Sequence, residues 1–166
     1  MKYNPSQGIF IGLGANLGNP VQQLTDALAA IASHAEIKLL ERSHFYSSAP
    51  MGPKDQPDYV NAVCKVSTNL QPLALLHQLQ AIEQQYGRVR KAERWGARTL
   101  DLDLLLYGDA YIKTDELTVP HYGIKGREFV LVPLFEIQPD LIMPDNQSIA
   151  HWVRQCDLTS LTRLMN

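Results

Sequence analysis

Asp101 and Asp103 stand two residues apart in the run RTLDLDLLLYGD, residues 98–109. In a strand that spacing turns both to one face and leaves Leu100, Leu102, Leu104 and Leu106 on the other. Carboxylates this close repel one another unless a positive charge lies between them or one holds a proton. The residues just before them, RVRKAERWGAR, carry Arg88, Arg90, Lys91, Arg94 and Arg98 against one acid, Glu93. A basic loop alone reads as solvated surface, where ion pairs contribute little. Joined to a strand with paired acids it suggests more, because aspartate is depleted in strands. Arginine clamps phosphate oxygens bidentately, and paired carboxylates suit Mg²⁺, which keeps waters and takes further ligands from substrate phosphates. Together they describe a nucleotide polyphosphate site.

Two further features fit such a site without requiring it. His121, Tyr122 and Arg127, in VPHYGIKGR, are either a surface group or a second set of contacts to the outer phosphates. Trp95, in a loop between arginine and glycine, has a large apolar face to cover and would suit a lid closing on a flat ring.

The elements that must position these residues follow from periodicity. GIFIGLG, residues 8–14, reads as a buried strand. A helix should follow, with Asn19 as cap, Pro20 in the first turn and Leu24, Leu28 and Ile31 on one face. Residues 36–47 are expected to form a second strand, running up to Phe45 and Tyr46. Residues 48–58, with three prolines and a glycine, read as a long loop. Residues 59–68 alternate cleanly: Val60, Ala62, Cys64 and Val66 face one way, Tyr59, Asn61, Val63 and Lys65 the other. Pro72 should open a second helix, with Leu75, Leu76, Leu79, Ile82 and Tyr86 on one side and Gly87 as its stop. Residues 99–107 form the fourth strand. This order is α+β: a ferredoxin-like βαββαβ core, an antiparallel sheet with helices on one face. A C-terminal extension follows, with a short strand near 110–112, a helical stretch near 126–136 and a last helix.

At 166 residues the chain suits a single domain, 1–166, with a core that needs no disulfides. A hydrophobic fraction of 45% and a net charge of −2 give no overall pull toward nucleic acid or membrane. Cys64 and Cys156 have no CxxC partner and read as free thiols, which points to the cytoplasm. No apolar run reaches the roughly 20 residues of a membrane span.

The run RWGARTLDLDLL, together with GLGANLGNP, FYSSAPMGPKDQPDYVNAV, IEQQYGRVRKAERWG and LTVPHYGIKGREFVLVPLFEI, resembles the 6-hydroxymethyl-7,8-dihydropterin pyrophosphokinase family over nearly the whole chain. The resemblance implies transfer of the β,γ-pyrophosphoryl group of ATP to the hydroxymethyl oxygen of the pterin, releasing AMP, in folate biosynthesis. It implies two Mg²⁺ ions bridged by Asp101 and Asp103, with Arg88 and Arg98 clamping the transition state. Arg90, His121 and Arg127 match phosphate-contacting positions, and Gln80, Glu83, Leu104, Thr118 and Tyr122 fall on the ATP side with them. For the pterin, the match implies Ser48, the backbone near Met51, Tyr59, Asn61, Trp95 and Phe129. A monomer is expected, with small-molecule substrates only. Two departures are visible: Ala49 stands where many members carry proline, and Glu116 where some carry a basic residue.

Two other readings compete. Gly12, Gly14 and Gly18 after a strand suggest a dinucleotide fold, but their spacing is one residue too long and no acidic partner follows, so they read as tight-turn glycines. A ferredoxin-like sheet with a basic loop also suits an RNA-binding module, but Asp101 and Asp103 would repel a phosphate backbone unless metal is present.

Overall fold

Segment 8–15 is apolar enough to be buried on both faces. In the computed structural model, which describes residues 8–48, 58–86 and 100–164, it forms strand β1 (Ile9–Ala15), buried along its whole length. The Asn19 side chain accepts the Gln22 N–H and so caps α1 (Pro20–Ser33), whose Leu24, Ala27, Leu28 and Ile31 are buried. Strands β2 (Ile37–Arg42), β3 (Tyr46–Ser48) and β4 (Tyr59–Thr68) come next, then α2 (Pro72–Tyr86) and β5 (Asp101–Tyr107). A two-stranded ribbon, β6 (Ile112–Lys113) with β7 (Thr118–Val119), precedes α3 (Glu128–Ile137), α4 (Ile149–Val153) and β8 (Leu161–Arg163). The main sheet is antiparallel, in the order β5-β1-β4-β3-β8, with β2 also paired to β4. With β2 and β3 counted as one interrupted strand, this is the expected βαββαβ core.

Four expectations need correction. The strand over 36–47 is interrupted, because its pairing with β4 slips one residue at Leu40 and one more across 43–45. At the second break Ser43 competes with the backbone ladder: Val63 N–H donates to the Ser43 hydroxyl at 3.0 Å, while Ser43 N–H donates to the Val63 carbonyl at 2.8 Å. Leu106 does not share a face with Leu100, Leu102 and Leu104. Ile11 pairs with Leu104 but Phe10 pairs with Leu106, so Leu105 is an extra residue and the bulge turns Leu106 to the opposite face. Tyr86 lies in the last turn of α2, exposed rather than packed. Finally, helices cover both faces of the sheet. Leu75, Leu79 and Ile82 of α2 join α1 against one face, while Leu131, Leu134 and Ile137 of α3 and Ile149 of α4 pack on Phe10, Val63, Leu105 and Leu106 of the other. The short strand expected near 110–112 pairs as β6 with β7, and the chain continues past its last helix into β8, which was not expected. Among the described residues no helix is long and apolar enough to cross a membrane.

Candidate active site

The side chains of β1 differ on its two faces. Ile9, Ile11, Leu13 and Ala15 point into the α1/α2 core, while the other face runs Phe10, Gly12, Gly14. At Gly12 and Gly14 that second face has no side chain of its own, and both positions are buried, Gly12 against the Leu105 side chain and Gly14 against the Asn61 amide. Gly12 lies between Asp103 on β5 and Val63 on β4, and Gly14 between Asp101 and Asn61. A Cβ on Gly14 would come within 2.8 Å of the Asn61 Nδ2, and one on Gly12 within 3.3 Å of Leu105. Gly12 and Gly14 are thus strand residues forming a floor, not turn residues. Gly18, with φ +64°, is the one in a left-handed turn. With both glycines inside a strand of an antiparallel sheet, the dinucleotide-fold reading falls away.

One wall of the floor is Asn61, buried and accepting a hydrogen bond on Oδ1 from the Ser48 hydroxyl at 3.1 Å. Tyr59 stands two residues before Asn61 on the same face, half-buried. The opposite wall is the half-buried pair Asp101 and Asp103. Their strand is at the sheet edge, and two of its outer backbone groups are taken by side elements. Glu83 of α2 accepts the Leu102 N–H at 2.7 Å, and His121 N–H donates to the carbonyl of the bulged Leu105 at 2.9 Å.

That second bond brings His121 Nε2 to 3.8 Å from Asp103 Oδ2. Its other ring nitrogen, Nδ1, accepts the Gly123 N–H at 3.1 Å, an arrangement that assigns the proton to Nε2. Burial, reinforced by the Arg127 guanidinium and only partly opposed by Asp101, holds the imidazole below its usual pKa. A neutral donor therefore faces the aspartates at neutral pH. Tyr122 stacks on His121 with ring centroids 4.6 Å apart, and Arg127 lies over the rings of both Tyr122 and Phe129 at 5.6 and 5.8 Å. Gly123 leaves space for that guanidinium, since a Cβ there would meet it at 2.7 Å.

The described structure therefore gathers Ser48, Tyr59 and Asn61 along one side of the glycine floor and Asp101 and Asp103 along the other, with His121 beside Asp103 and Tyr122, Arg127 and Phe129 following from His121 through successive ring and guanidinium contacts. Glu83 lies against the outer edge of β5 and Gln80 is exposed one turn earlier on α2. Thr118 lies in β7, half-buried. The Leu104 side chain is buried in the α1/α2 core, so on its own strand only its backbone could meet a ligand. Met51, Arg88, Arg90, Trp95 and Arg98 lie outside the described residues. Sequence reasoning missed the floor itself. Its signal was present as two glycines at strand spacing, with large apolar residues alternating between them.

Among the described residues no group of three or more His, Cys, Asp or Glu is placed to hold a metal ion unaided. Two carboxylates on one face fit an ion that completes its shell with water and phosphate oxygens.

The family model of 7,8-dihydro-6-hydroxymethylpterin-pyrophosphokinase (HPPK) matches residues 10–139. The chain is 56% identical over 146 residues to the 2-amino-4-hydroxy-6-hydroxymethyldihydropteridine pyrophosphokinase of Haemophilus influenzae, covering 88% of this chain and 91% of that one. It is 45% identical over 158 residues to the enzyme of the same name from Pseudomonas aeruginosa, covering 95% and 97%. In fold it is similar to an HPPK-DHPS crystal structure solved in complex with substrates, with a TM-score of 0.72 at 12% identity, and to Plasmodium falciparum HPPK-DHPS, with a TM-score of 0.69 at 12% identity. These matches cover 94% and 93% of this chain, which spans about half the length of those structures, 48% and 46%. A pair of acids beside a glycine floor, on a sheet of this topology and in a sequence this similar, places the chain in the 7,8-dihydro-6-hydroxymethylpterin-pyrophosphokinase family.

Proposed function

We propose that the glycine-floored face between Asn61 and the aspartate pair is where this chain transfers pyrophosphate from ATP to the hydroxymethyl group of 6-hydroxymethyl-7,8-dihydropterin, a step of folate synthesis. The observation that carries this reading is the floor itself: two successive positions on one face of β1 without side chains, with an amide on one side and two carboxylates on the other. A flat heterocycle can lie on bare backbone there, its polar edge against Asn61 and Ser48 and its faces against Tyr59 and Phe129. Its hydroxymethyl arm then points across the floor toward Asp101 and Asp103.

Asp101 and Asp103 would hold Mg²⁺, two ions by the family resemblance, which when bound neutralises the polyphosphate. His121, neutral with its proton on Nε2, donates to an outer phosphate oxygen, and Arg127 adds a fixed positive charge beside it. In the transfer, the hydroxymethyl oxygen forms a bond to the β-phosphorus. The bond from that phosphorus to the α,β-bridging oxygen breaks, AMP leaves with that oxygen, and the hydroxyl proton is lost to solvent. Arg88, Arg90, Arg98 and Trp95 are proposed, from the sequence, to bring further charge and an aromatic cover to the same place, and Met51 to complete the pterin pocket through its backbone. Gln80, Glu83, Leu104 through its backbone, Thr118 and Tyr122 are proposed on the ATP side. We place the whole reaction in one domain, 1–166, acting as a cytoplasmic monomer.

The test is AMP release by purified protein supplied with ATP, Mg²⁺ and the pterin, with controls that omit pterin or metal. AMP in the complete mixture alone is the expected result. ADP in its place would mean single-phosphoryl transfer and would overturn the reading.

A further inference from the structure

Glu136, two turns after Phe129 on α3, reaches back to the strand that carries Ser48. Both of its carboxylate oxygens accept the backbone N–H of His44, at 3.1 and 3.0 Å. Oε2 also lies 2.7 Å from His44 Nδ1, and Oε1 accepts the Tyr46 hydroxyl at 2.7 Å. A carboxylate only accepts, so His44 Nδ1 carries a proton here. All these bonds fall on His44 and Tyr46, with Tyr46 two residues before Ser48. Tyr46 is itself the cross-strand partner of Asn61, and its ring is buried on the floor side of the sheet. β3 is only three residues long, and beyond β4 its other neighbour is the equally short β8. Glu136 adds a direct polar tie from α3 to this short strand, beside the indirect one through β4. A purely structural tie would be redundant for α3, because Leu131, Leu134 and Ile137 already anchor the helix in the core.

We propose that Glu136, acting through Tyr46 and His44, is a positioning residue for the pterin pocket. It fixes the spacing between the wall that carries Phe129 and the wall that carries Ser48 and Asn61. The inference rests on the reading of those residues as the pterin pocket. It makes Glu136 a determinant of pterin affinity, without contact to the pterin and without effect on the nucleotide side.

The test compares the full-length wild type with Glu136→Ala, Glu136→Gln and Tyr46→Phe, measuring KM for pterin and for ATP, and pterin Kd by equilibrium binding. Glu136→Ala should raise pterin KM and Kd about tenfold and leave the ATP KM within about twofold. Glu136→Gln, which keeps the volume and one acceptor oxygen, should recover most of that loss. Tyr46→Phe, which keeps the ring and removes one bond, should raise both pterin constants about threefold. Should Glu136→Ala not fold, Tyr46→Phe decides the matter. Pterin constants within about twofold of wild type, or equal rises for pterin and ATP, would overturn the inference. A wild type that turns over pterin alongside such unchanged variants removes this inference alone, whereas a wild type that turns over no pterin removes the proposed function beneath it.

Discussion

The two faces of β1 are built from one seven-residue segment yet do opposite work. Toward α1 and α2 every position is filled: Ile9, Ile11, Leu13 and Ala15 are at most 2% exposed and pack on Leu24, Leu75 and Leu79. Toward α3 and α4 the side chains shrink along the strand from Phe10 to Gly12 to Gly14, and the core residue Leu105 lies against the first glycine. Continuous burial on one face stabilises the sheet enough for the other to carry two side-chain-free positions beside two like charges. The bulge at Leu105 sharpens the contrast. It places Leu105 and Leu106 together in the α3 core, and the Leu105 carbonyl holds His121 beside Asp103.

Substitutions on the two faces should therefore separate activity from stability. The largest effect is expected for Asp103→Ala, which should lower AMP release about 1000-fold, or ~4 kcal/mol of transition-state stabilisation, and leave the melting temperature close to wild type. Near-normal turnover at ordinary Mg²⁺ would remove the aspartates from the chemistry. Gly14→Ala comes next. Its methyl would sit 2.8 Å from Asn61 Nδ2, so the amide must move, and pterin KM should rise about tenfold with little change for ATP. An unchanged pterin KM would mean that the floor is not the pterin seat.

On the filled face, Leu79→Ala should behave in the opposite way. A fully buried leucine is lost, so chemical denaturation should show about 2–5 kcal/mol less stability, while both KM values stay within about twofold. A large change in either KM would show that the faces are not independent. The smallest effect concerns acid stability. Burial alone would raise the Glu136 carboxyl, but the hydrogen bonds from Tyr46 and His44 outweigh it and hold the group below its ordinary value of 4.5. A lowered folded pKa means that this stabilisation is complete above pH 4.5 and is lost as pH falls through the folded value. In urea unfolding followed from about pH 7 to 3, the gap between wild type and Glu136→Gln should narrow below that point. A constant gap would contradict it.

The parts legible in the sequence were those written in a regular period. β4 and β5 alternate, α1 and α2 repeat their apolar residues at helical spacing, and Asn19 and Pro20 mark a helix start. The aspartate pair was legible for the same reason, since a spacing of two fixes a shared face in any strand. What escaped was set by single side chains or distant partners. Ser43 breaks the second strand with its hydroxyl, and one extra residue at Leu105 reverses Leu106. β8 is a three-residue edge strand that exists through its pairing with β3. Gly12, Gly14 and Gly18 look alike in sequence as tight-turn glycines, yet only Gly18 of the three has a left-handed φ, and cross-strand pairing puts the other two inside β1. Glu136 gave no local signal, as its partners His44 and Tyr46 lie 92 and 90 residues away.

The most direct test is a crystal structure of the complex with Mg²⁺, the pterin and an ATP analogue in which a methylene replaces the α,β-bridging oxygen, the bond the transfer must break. The account predicts metal density on the carboxylates of Asp101 and Asp103 and a flat ring over Gly14 with its edge against Asn61. Aspartates without metal, or a pterin seated away from the glycine floor, would contradict it.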